Sequence, residues 1–578
     1  MLKEDAVEIK VNEAQPAELE AAHAQQVKED ASSSLPAGVV SPESDLPDNV
    51  DSEDALAEVP RKYLSNLAKR PLLLVDASGD AHTYMLRPWS CVVLILLMEL
   101  LERLSFYGIN FTQTAYLTGT YGPWSPELTS TEASSWVMTS TAVAYSIPFL
   151  GAIISDGFLG NYKTILLFSV AVYIPGLLII ALCTNESLFP SGVYPTSLLA
   201  AGLLGLYPIG AGGIKACVNV MGAQQFHPIL QKRQVSRYYV WFYMFINIGA
   251  LAGGIAIPII MQSNVFAAYM IPVVGLSLGV IVFVLGTPLY VRVRAQGSDI
   301  VESLRAMVAS CQQCPPSLEK TKASHGGNYD DIFIDKVKVI GRLVPIMLTV
   351  VPFNMAYGQM SNVFVIQGSV MQPVGFIDAS WMQNFDAFSV LLSGFVLSTF
   401  VFPWLERTGR MPNMHTKFAI GSAFGALALI ADAIIDYEIH AAFTVSGDKL
   451  CVLWQVFPFF LIGTGEIFAI SSAYDAAFQL SPVGMKSFGS ALNLFMIGAV
   501  PNFISEGILN ACAVWFTTDD GSTDLSTLEA YSQAQVYNYL WVLVGIALLG
   551  VVVNLVPQVQ VFYAVTEEKA AAITAKSV

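Results

Sequence analysis

The chain has 578 residues, of which 54% are apolar and only 13% are Asp, Glu, Lys or Arg, against about 25% charged residues in an ordinary soluble domain. With a mean hydropathy of +0.55, most of it must face lipid or other apolar segments. The lack of a Gly period, seven Cys and a pI of about 4.8 exclude collagen-like, disulfide-scaffold and nucleic-acid-binding chains.

The net charge of −16 is concentrated at the start, where residues 1–60 hold 15 acids and 3 bases. This stretch lacks Phe, Trp and Tyr and is rich in Ala, Ser, Pro and Gln, so it cannot bury enough apolar surface to offset its ordering entropy. We expect residues 1–80 to form a disordered acidic cytosolic tail. No basic segment followed by an apolar core marks a signal peptide.

From Pro88 onward twelve apolar stretches recur, each near the roughly 20 residues that cross a bilayer as a helix. They cover about 88–117, 134–155, 163–184, 194–220, 237–262, 266–290, 337–371, 381–405, 415–436, 451–480, 486–515 and 536–563, and are numbered spans 1 to 12. Loop charge orients them. One set of loops carries Lys163, Lys232, Arg233, Arg237, Arg292, Arg294, Lys320, Lys336, Arg407, Arg410, Lys417 and Lys486, whereas the opposite set carries Lys449 alone. Both termini and the basic loops are therefore expected in the cytosol. The long segment 291–336 separates a half at 88–290 from a half at 337–563, with a tail at 564–578. Two six-helix halves outline an all-α membrane protein of the major facilitator fold, in which substrate sits at midplane between the halves, although some unrelated twelve-span carriers share the plan and topology alone does not name a substrate.

A charged side chain at mid-membrane costs about 2.5–3.5 kcal/mol on insertion scales, so each needs a reason. Span 1 carries Glu99, Glu102 and Arg103 on one face. One guanidinium cannot fully neutralise two carboxylates, so one of them should be able to take up a proton. A static ion pair locking helix 1 is the plainer alternative. Span 4 carries Lys215 in a Gly-rich run and needs an anion, either a span-1 glutamate or a substrate carboxylate. Span 10 carries Glu466, a candidate partner for an amine. Lys215 and Glu466 would thus form opposite poles suited to a zwitterion. Asp386, Asp432 and Glu506 are further acids within spans, suited equally to function or to structural pairing, and Asp386 joins the candidate substrate residues. No His was expected in any span. Gly249-Ala-Leu-Ala-Gly253 reads as a close-packing pattern.

These residues resemble the proton-dependent oligopeptide transporter (POT/PTR) family, and its fungal peptide transporters in particular. Glu99-Leu-Leu-Glu102-Arg103-Leu-Ser-Phe-Tyr107-Gly is similar to the family's ExxER signature, and Gly212-Gly-Ile-Lys215-Ala-Cys-Val to its GGIKPCV. Phe242-Tyr243-Met-Phe-Ile-Asn247-Ile-Gly249 resembles its span-5 signature, Gly151 to Lys163 its loop 2–3 motif, and Gly465-Glu466 with Met485-Lys486-Ser its span-10 elements. The matches run in order from about residue 95 to 490. The resemblance implies proton coupling through Glu99, Glu102, Arg103 and Lys215. It implies a peptide pocket lined by Arg103, Phe106, Tyr107, Tyr145, Lys215, Asn247 and Glu466, with Glu466 holding the peptide amino terminus, and a cytosolic gate motif at Asp156 and Lys163. Departures are Gly358 where many members carry an acid or Asn, Ala216 for Pro after the lysine, and Gly222-Ala-Gln-Gln-Phe226 for GGDQF.

The expected function is a proton-coupled symporter importing di- and tripeptides, multi-pass in the plasma membrane and monomeric. Its partners would be small peptides, protons and membrane lipid, with no nucleic acid and no cofactor beyond the coupling proton. A carrier of another small solute (a secondary metabolite, nitrate or a modified amino acid) and a nutrient receptor without much flux are the alternatives. An enzyme is not expected, since GxxxxGK[ST], HExxH and GxSxG are all missing. Cys311-Gln-Gln-Cys314 reads as incidental reduced thiols, and Ile300–Cys311 as a short amphipathic helix.

Overall fold

In lipid every backbone polar group must be satisfied within its own segment, so apolar runs of this length become helices. The computed structural model describes residues 50–577 except 76–80, 296–298, 313–316 and 483–484, which leaves Cys314 outside the described residues. Among the described residues, ten helices are long and apolar enough to cross a membrane. They are span 2 (Ser130–Leu159), span 3 (Asn161–Cys183), span 4 (Thr196–Ala223), span 5 (Lys232–Met261), span 6 (Val265–Leu285), span 8 (Ala379–Arg407), span 9 (Met414–Ser446), span 10 (Val456–Leu480), span 11 (Phe488–Ala511) and span 12 (Val536–Leu555). Span 7 is a pair, Asp331–Leu348 and Val351–Val370, bent by 51°. Pro352 cannot donate in the second piece, and Asn554 of span 12 donates to the Thr349 carbonyl at 3.0 Å at the bend. Span 1, Trp89–Leu117, is the twelfth, made less apolar by Glu99, Glu102 and Arg103.

One apolar core runs through spans 1–6, from Cys91 to Tyr290, and two others lie mainly in spans 7–12. The segment joining the halves contains the expected helix, Asp299–Cys311, whose Ile300 is buried with Val337 and Ile340 of span 7. Span 9 is longer than its apolar core suggested. It runs on to Ser446 and takes in His440, while His415 already stood at the first position of the expected stretch 415–436, so the expectation that spans lack histidine is corrected at both ends.

The expected tail at 1–80 is also corrected. Residues 1–49 lie outside the described residues, but the chain is folded from Val50 to Val75. Short turns at Asp54–Glu58 and Arg61–Tyr63 precede strand β1, Leu72–Val75, which pairs antiparallel with β2, Ala81–Tyr84. Val50, Val59, Tyr63, Leu72 and Tyr84 are buried together with Leu230 of the 4–5 loop and Val291 after span 6. Composition missed this because the apolar surface that orders the segment belongs to the bundle. His227 is the hub. Its Nδ1 accepts from the backbone N–H groups of Ile229 and Leu230, its Nε2 donates to the Leu73 carbonyl at 3.2 Å, and Tyr63 and Tyr84 meet its ring edge-on. Arg70 donates to the carbonyls of Pro288 and Leu289 at 3.0 and 2.8 Å.

Burial holds the His227 imidazole below its ordinary value of 6.5. A histidine kept neutral in the docked state contributes fully above the undocked value and loses that contribution as pH falls below about 6.5. Hydrogen exchange at residues 72–75, corrected for intrinsic rate, should therefore accelerate between neutral and mildly acid pH in the wild type. In His227→Gln it should be faster at neutral pH and vary little with acidification.

Candidate functional site

The site begins with the approach of span 5 to span 1. At Gly249 an added Cβ would lie 2.8 Å from Arg103 Cβ, and at Gly253 one would lie 3.1 Å from the Gly108 nitrogen. The small-residue pattern thus serves close packing, as expected, and fixes the backbone that carries the charged cluster. Arg103 Nε lies 3.0 Å from Glu99 Oε1, and Nη2 lies 2.5 Å from Glu102 Oε2. All three are buried, Glu102 completely. The sequence-predicted triad is therefore assembled as one guanidinium between two carboxylates.

Of the two anions expected for Lys215, a span-1 glutamate is not its ion-pair partner. Its Nζ is buried and makes no hydrogen bond or ion pair with a described residue; it rests instead on two aromatic faces, 3.7 Å from the Tyr145 ring centroid and 4.1 Å from that of Phe106. Such contacts are worth about 0.5–2 kcal/mol, the higher figure when desolvated. The Arg103 guanidinium lies 5.6 Å from the other occupied ring, Phe106, which stacks on Tyr207 and meets Tyr107 edge-on. Phe106 therefore contacts both cations.

Tyr145 also touches the other half. A π-helical turn at Phe495–Ala499 brings Gly498 of span 11 so close that a Cβ there would lie 2.7 Å from Tyr145 Cβ. Glu466, half-buried on span 10, acts electrostatically on Tyr107, Tyr145 and Tyr357. Spans 1, 2, 4, 7 and 10 thus converge on one region around Tyr145 and Tyr107. Asn247 is half-buried on span 5, two residues before Gly249. Asp386 is half-buried at the start of the Asn384–Val396 segment of span 8, against span 10. Asp156 and Lys163 are outside this region and flank the positive-φ turn at Gly160, with Lys163 exposed.

The remaining acids within spans divide. Glu506 accepts from Thr139 across the halves at 3.0 Å, a structural pairing. Asp432 is fully buried in the C-terminal half and accepts no hydrogen bond. Neighbouring Asp436 accepts from the Tyr531 hydroxyl at 2.5 Å and the Tyr537 amide at 3.1 Å, and lies 3.7 Å from His440.

A latch that motif reading missed joins the halves at the end of the bundle opposite the 6–7 segment. The Asp378 carboxylate accepts from Tyr121 and from Gln262, both at 3.0 Å, while also capping Trp381 at 2.9 Å. Gln383 donates to the Phe111 carbonyl at 2.7 Å, Asn384 to the Gly254 carbonyl at 2.8 Å, and Ser361 to Gln383 at 2.7 Å; Thr114 donates to the Ser361 carbonyl. The 11–12 loop adds a strap, with Thr131 bonded to Thr523 at 3.1 Å and the Leu525 amide to Ser130 at 3.0 Å. The signal available in the sequence was local: Asp378 stands three residues before Trp381, the spacing of a helix cap.

What the arrangement can do chemically is hold opposite charges apart in a water-poor, aromatic-lined space between two halves. Comparisons with known proteins agree with that architecture. A family model described as PTR2, POT family, matches residues 162–526. Protein NRT1/PTR FAMILY 8.3 of Arabidopsis thaliana is 26% identical over 535 residues, covering 80% of this chain and 90% of that protein. The probable peptide transporter ptr2 of Schizosaccharomyces pombe is 27% identical over 476 residues, 75% of each chain. The crystal structure of the POT family transporter PepTSo superposes with a TM-score of 0.66 at 21% identity, covering 83% of this chain and 98% of that one. The chain belongs to the POT family of multi-pass membrane transporters.

Proposed function

We propose that this transporter is a proton-coupled symporter that imports di- and tripeptides across the plasma membrane as a monomer, with both termini in the cytosol. The observation that carries the reading is the Lys215 Nζ, buried on two aromatic faces with no anionic partner among the described residues, with Glu466 of span 10 in electrostatic range of the same Tyr145. A peptide backbone is a zwitterion, and its carboxylate suits Lys215 while its ammonium suits Glu466. Arg103, Phe106, Tyr107, Tyr145, Asn247 and Asp386 complete the proposed pocket. The naming of the fission yeast relative as a peptide transporter favours this substrate class.

Coupling follows from the span-1 triad. A proton from outside neutralises one of Glu99 and Glu102, and Arg103 then needs only the other. The freed share of positive charge, beside Lys215, attracts the substrate carboxylate. The halves rock, the peptide leaves, and loss of the proton inside restores the triad. Each inward proton gains about 2.3 kcal/mol per 100 mV of membrane potential. With the basic loops cytosolic, the Asp378 latch closes the outer face, with Asp156 and Lys163 at the inner gate.

A second reading, a carrier for another solute, is favoured by Gly358, beside which a Cβ would meet only Asn502 Oδ1, at 3.6 Å. Competitive uptake against labelled Ala-Ala in a peptide-transport-deficient cell separates the two. Dipeptides and tripeptides should compete while nitrate and free amino acids do not; the reverse outcome selects the second reading.

Uptake of Ala-Ala should be severalfold faster at acid than at neutral outer pH, and pH-independent uptake removes the coupling. Glu466→Gln should raise the KM for Ala-Ala about tenfold, the cost of roughly 1.4 kcal/mol, and leave N-acetyl-Ala-Ala much less affected; equal losses remove the amine role. Asp378→Ala deletes three hydrogen bonds to a carboxylate, two of them between the halves, each worth about 1.5–3 kcal/mol. A cysteine introduced by Ala115→Cys, at a position buried beneath the latch, should then be labelled from outside at least about tenfold faster than without the Asp378 change.

A further inference from the structure

Asp386 lies where span 8 is clamped to span 10. Ser389 Oγ donates to the Phe460 carbonyl at 2.6 Å, and Ser393 bonds Thr464 at 2.8 Å. One turn further along, an added Cβ at Gly463 would lie 2.9 Å from Asp386 Oδ1. Gly463 is three residues before Glu466, so the two carboxylates share one flank of span 10 and neither helix is free to carry its acid away.

Asp386 Oδ1 is buried and accepts no hydrogen bond. Glu466 is the charged group that acts on it, and both acids act on Tyr357 of span 7. Among the described residues neither acid is paired with Lys or Arg. Two carboxylates side by side in an apolar bundle repel each other, and a cation bound between them relieves the repulsion and the missing hydrogen bond together. At the opposite pole Arg103 is already shared between Glu99 and Glu102, which leaves Lys215. Among the described residues of the proposed pocket, two acids outside any ion pair therefore stand against one such lysine.

We propose that Asp386 and Glu466 form a two-carboxylate subsite that selects substrates carrying a second positive charge beside the amino terminus, such as dipeptides with Lys or Arg as first residue. The proposal rests on the peptide reading and names the substrate class within it. Glu466 takes the α-ammonium. Asp386 takes the side-chain cation of the same residue, which a neutral peptide does not supply. A charge-complementary pair gives specificity more than bulk affinity, so the effect is read as a ratio between substrates.

The test is competition against labelled Ala-Ala by Lys-Ala, Ala-Ala and Asp-Ala, in wild type and in Asp386→Asn, Asp386→Ser and Asp386→Glu. Wild type should take Lys-Ala about tenfold better than Ala-Ala, with Asp-Ala worst. In Asp386→Asn and Asp386→Ser the Lys-Ala to Ala-Ala ratio should fall to about one, however much total uptake changes, and Asp386→Glu should restore the preference. A wild type without the preference overturns the proposal even if every variant fails to fold. A preference that survives in Asp386→Asn, or stays lost in Asp386→Glu, overturns it too. If the wild type takes up no dipeptide, the peptide reading fails. The subsite is then tested on the purified full chain by thermal stabilisation with lysine methyl ester against norleucine methyl ester: a larger shift with the former, lost in Asp386→Asn, upholds the charge subsite, and equal shifts overturn it.

Discussion

Arg103 sits between two buried carboxylates at 3.0 and 2.5 Å, and much of the N-terminal half is arranged to keep it there. A guanidinium in an apolar bundle is costly unless paired, and its fork can engage two acids at once. That geometry needs span 1 to be straight through Glu99–Arg103 and needs a neighbour without side chains on the opposing side. Gly249 and Gly253 supply the neighbour. The Phe106 ring touches both Arg103 and Lys215, and only Arg103 forms ion pairs with the two carboxylates. A change at Gly249 would therefore reach the charges through the backbone of span 1, although Gly249 itself carries no chemistry.

The two halves are held differently from the charged centre. The latch at Asp378, Ser361, Gln383 and Asn384 consists of hydrogen bonds, of which only those to Asp378 involve a charge. A neutral hydrogen bond contributes about 0.5–1.5 kcal/mol net, because water offers the same groups an alternative. Such a seam opens at modest cost, and its members find water when it does. A buried ion-pair seam would leave stranded charges on opening. Opening this seam leaves the triad untouched, since the latch residues and Glu99, Glu102 and Arg103 are different sets.

Much of this was legible in the sequence. The twelve spans followed from apolar length, and Glu99, Glu102, Arg103, Lys215 and Glu466 stood out because a charge in such a segment is rare. Two kinds of feature were not legible. The first is order that depends on a distant surface: Tyr63, Leu72 and Tyr84 fold because Leu230, His227 and Val291 are there to receive them, and a composition window over an acidic stretch carries no trace of that. The second is partner choice for a known group. Sequence reasoning required an anion for Lys215 and did not weigh an aromatic cage, because a ring announces burial and not which cation it will meet. The length of span 9 was misread for a related reason, as His440 at its far end is tied to Asp436 by packing and not by hydropathy.

The cage on Lys215 also decides how the site can exchange ligands. A lysine locked in an ion pair with a protein carboxylate would have to break that pair before meeting a substrate carboxylate, leaving a buried acid behind at a cost of several kcal/mol. A lysine resting on Tyr145 and Phe106 gives up contacts worth about 0.5–2 kcal/mol, and can retain part of them while an anion approaches its free side. The aromatic cage therefore holds the cation within the membrane at low exchange cost, which is the condition for binding and releasing a substrate in each cycle. Tyr145 is pressed by Gly498 from the opposite half. One wall of the cage is therefore built against span 11, so a displacement of that span would reach Lys215 through Tyr145.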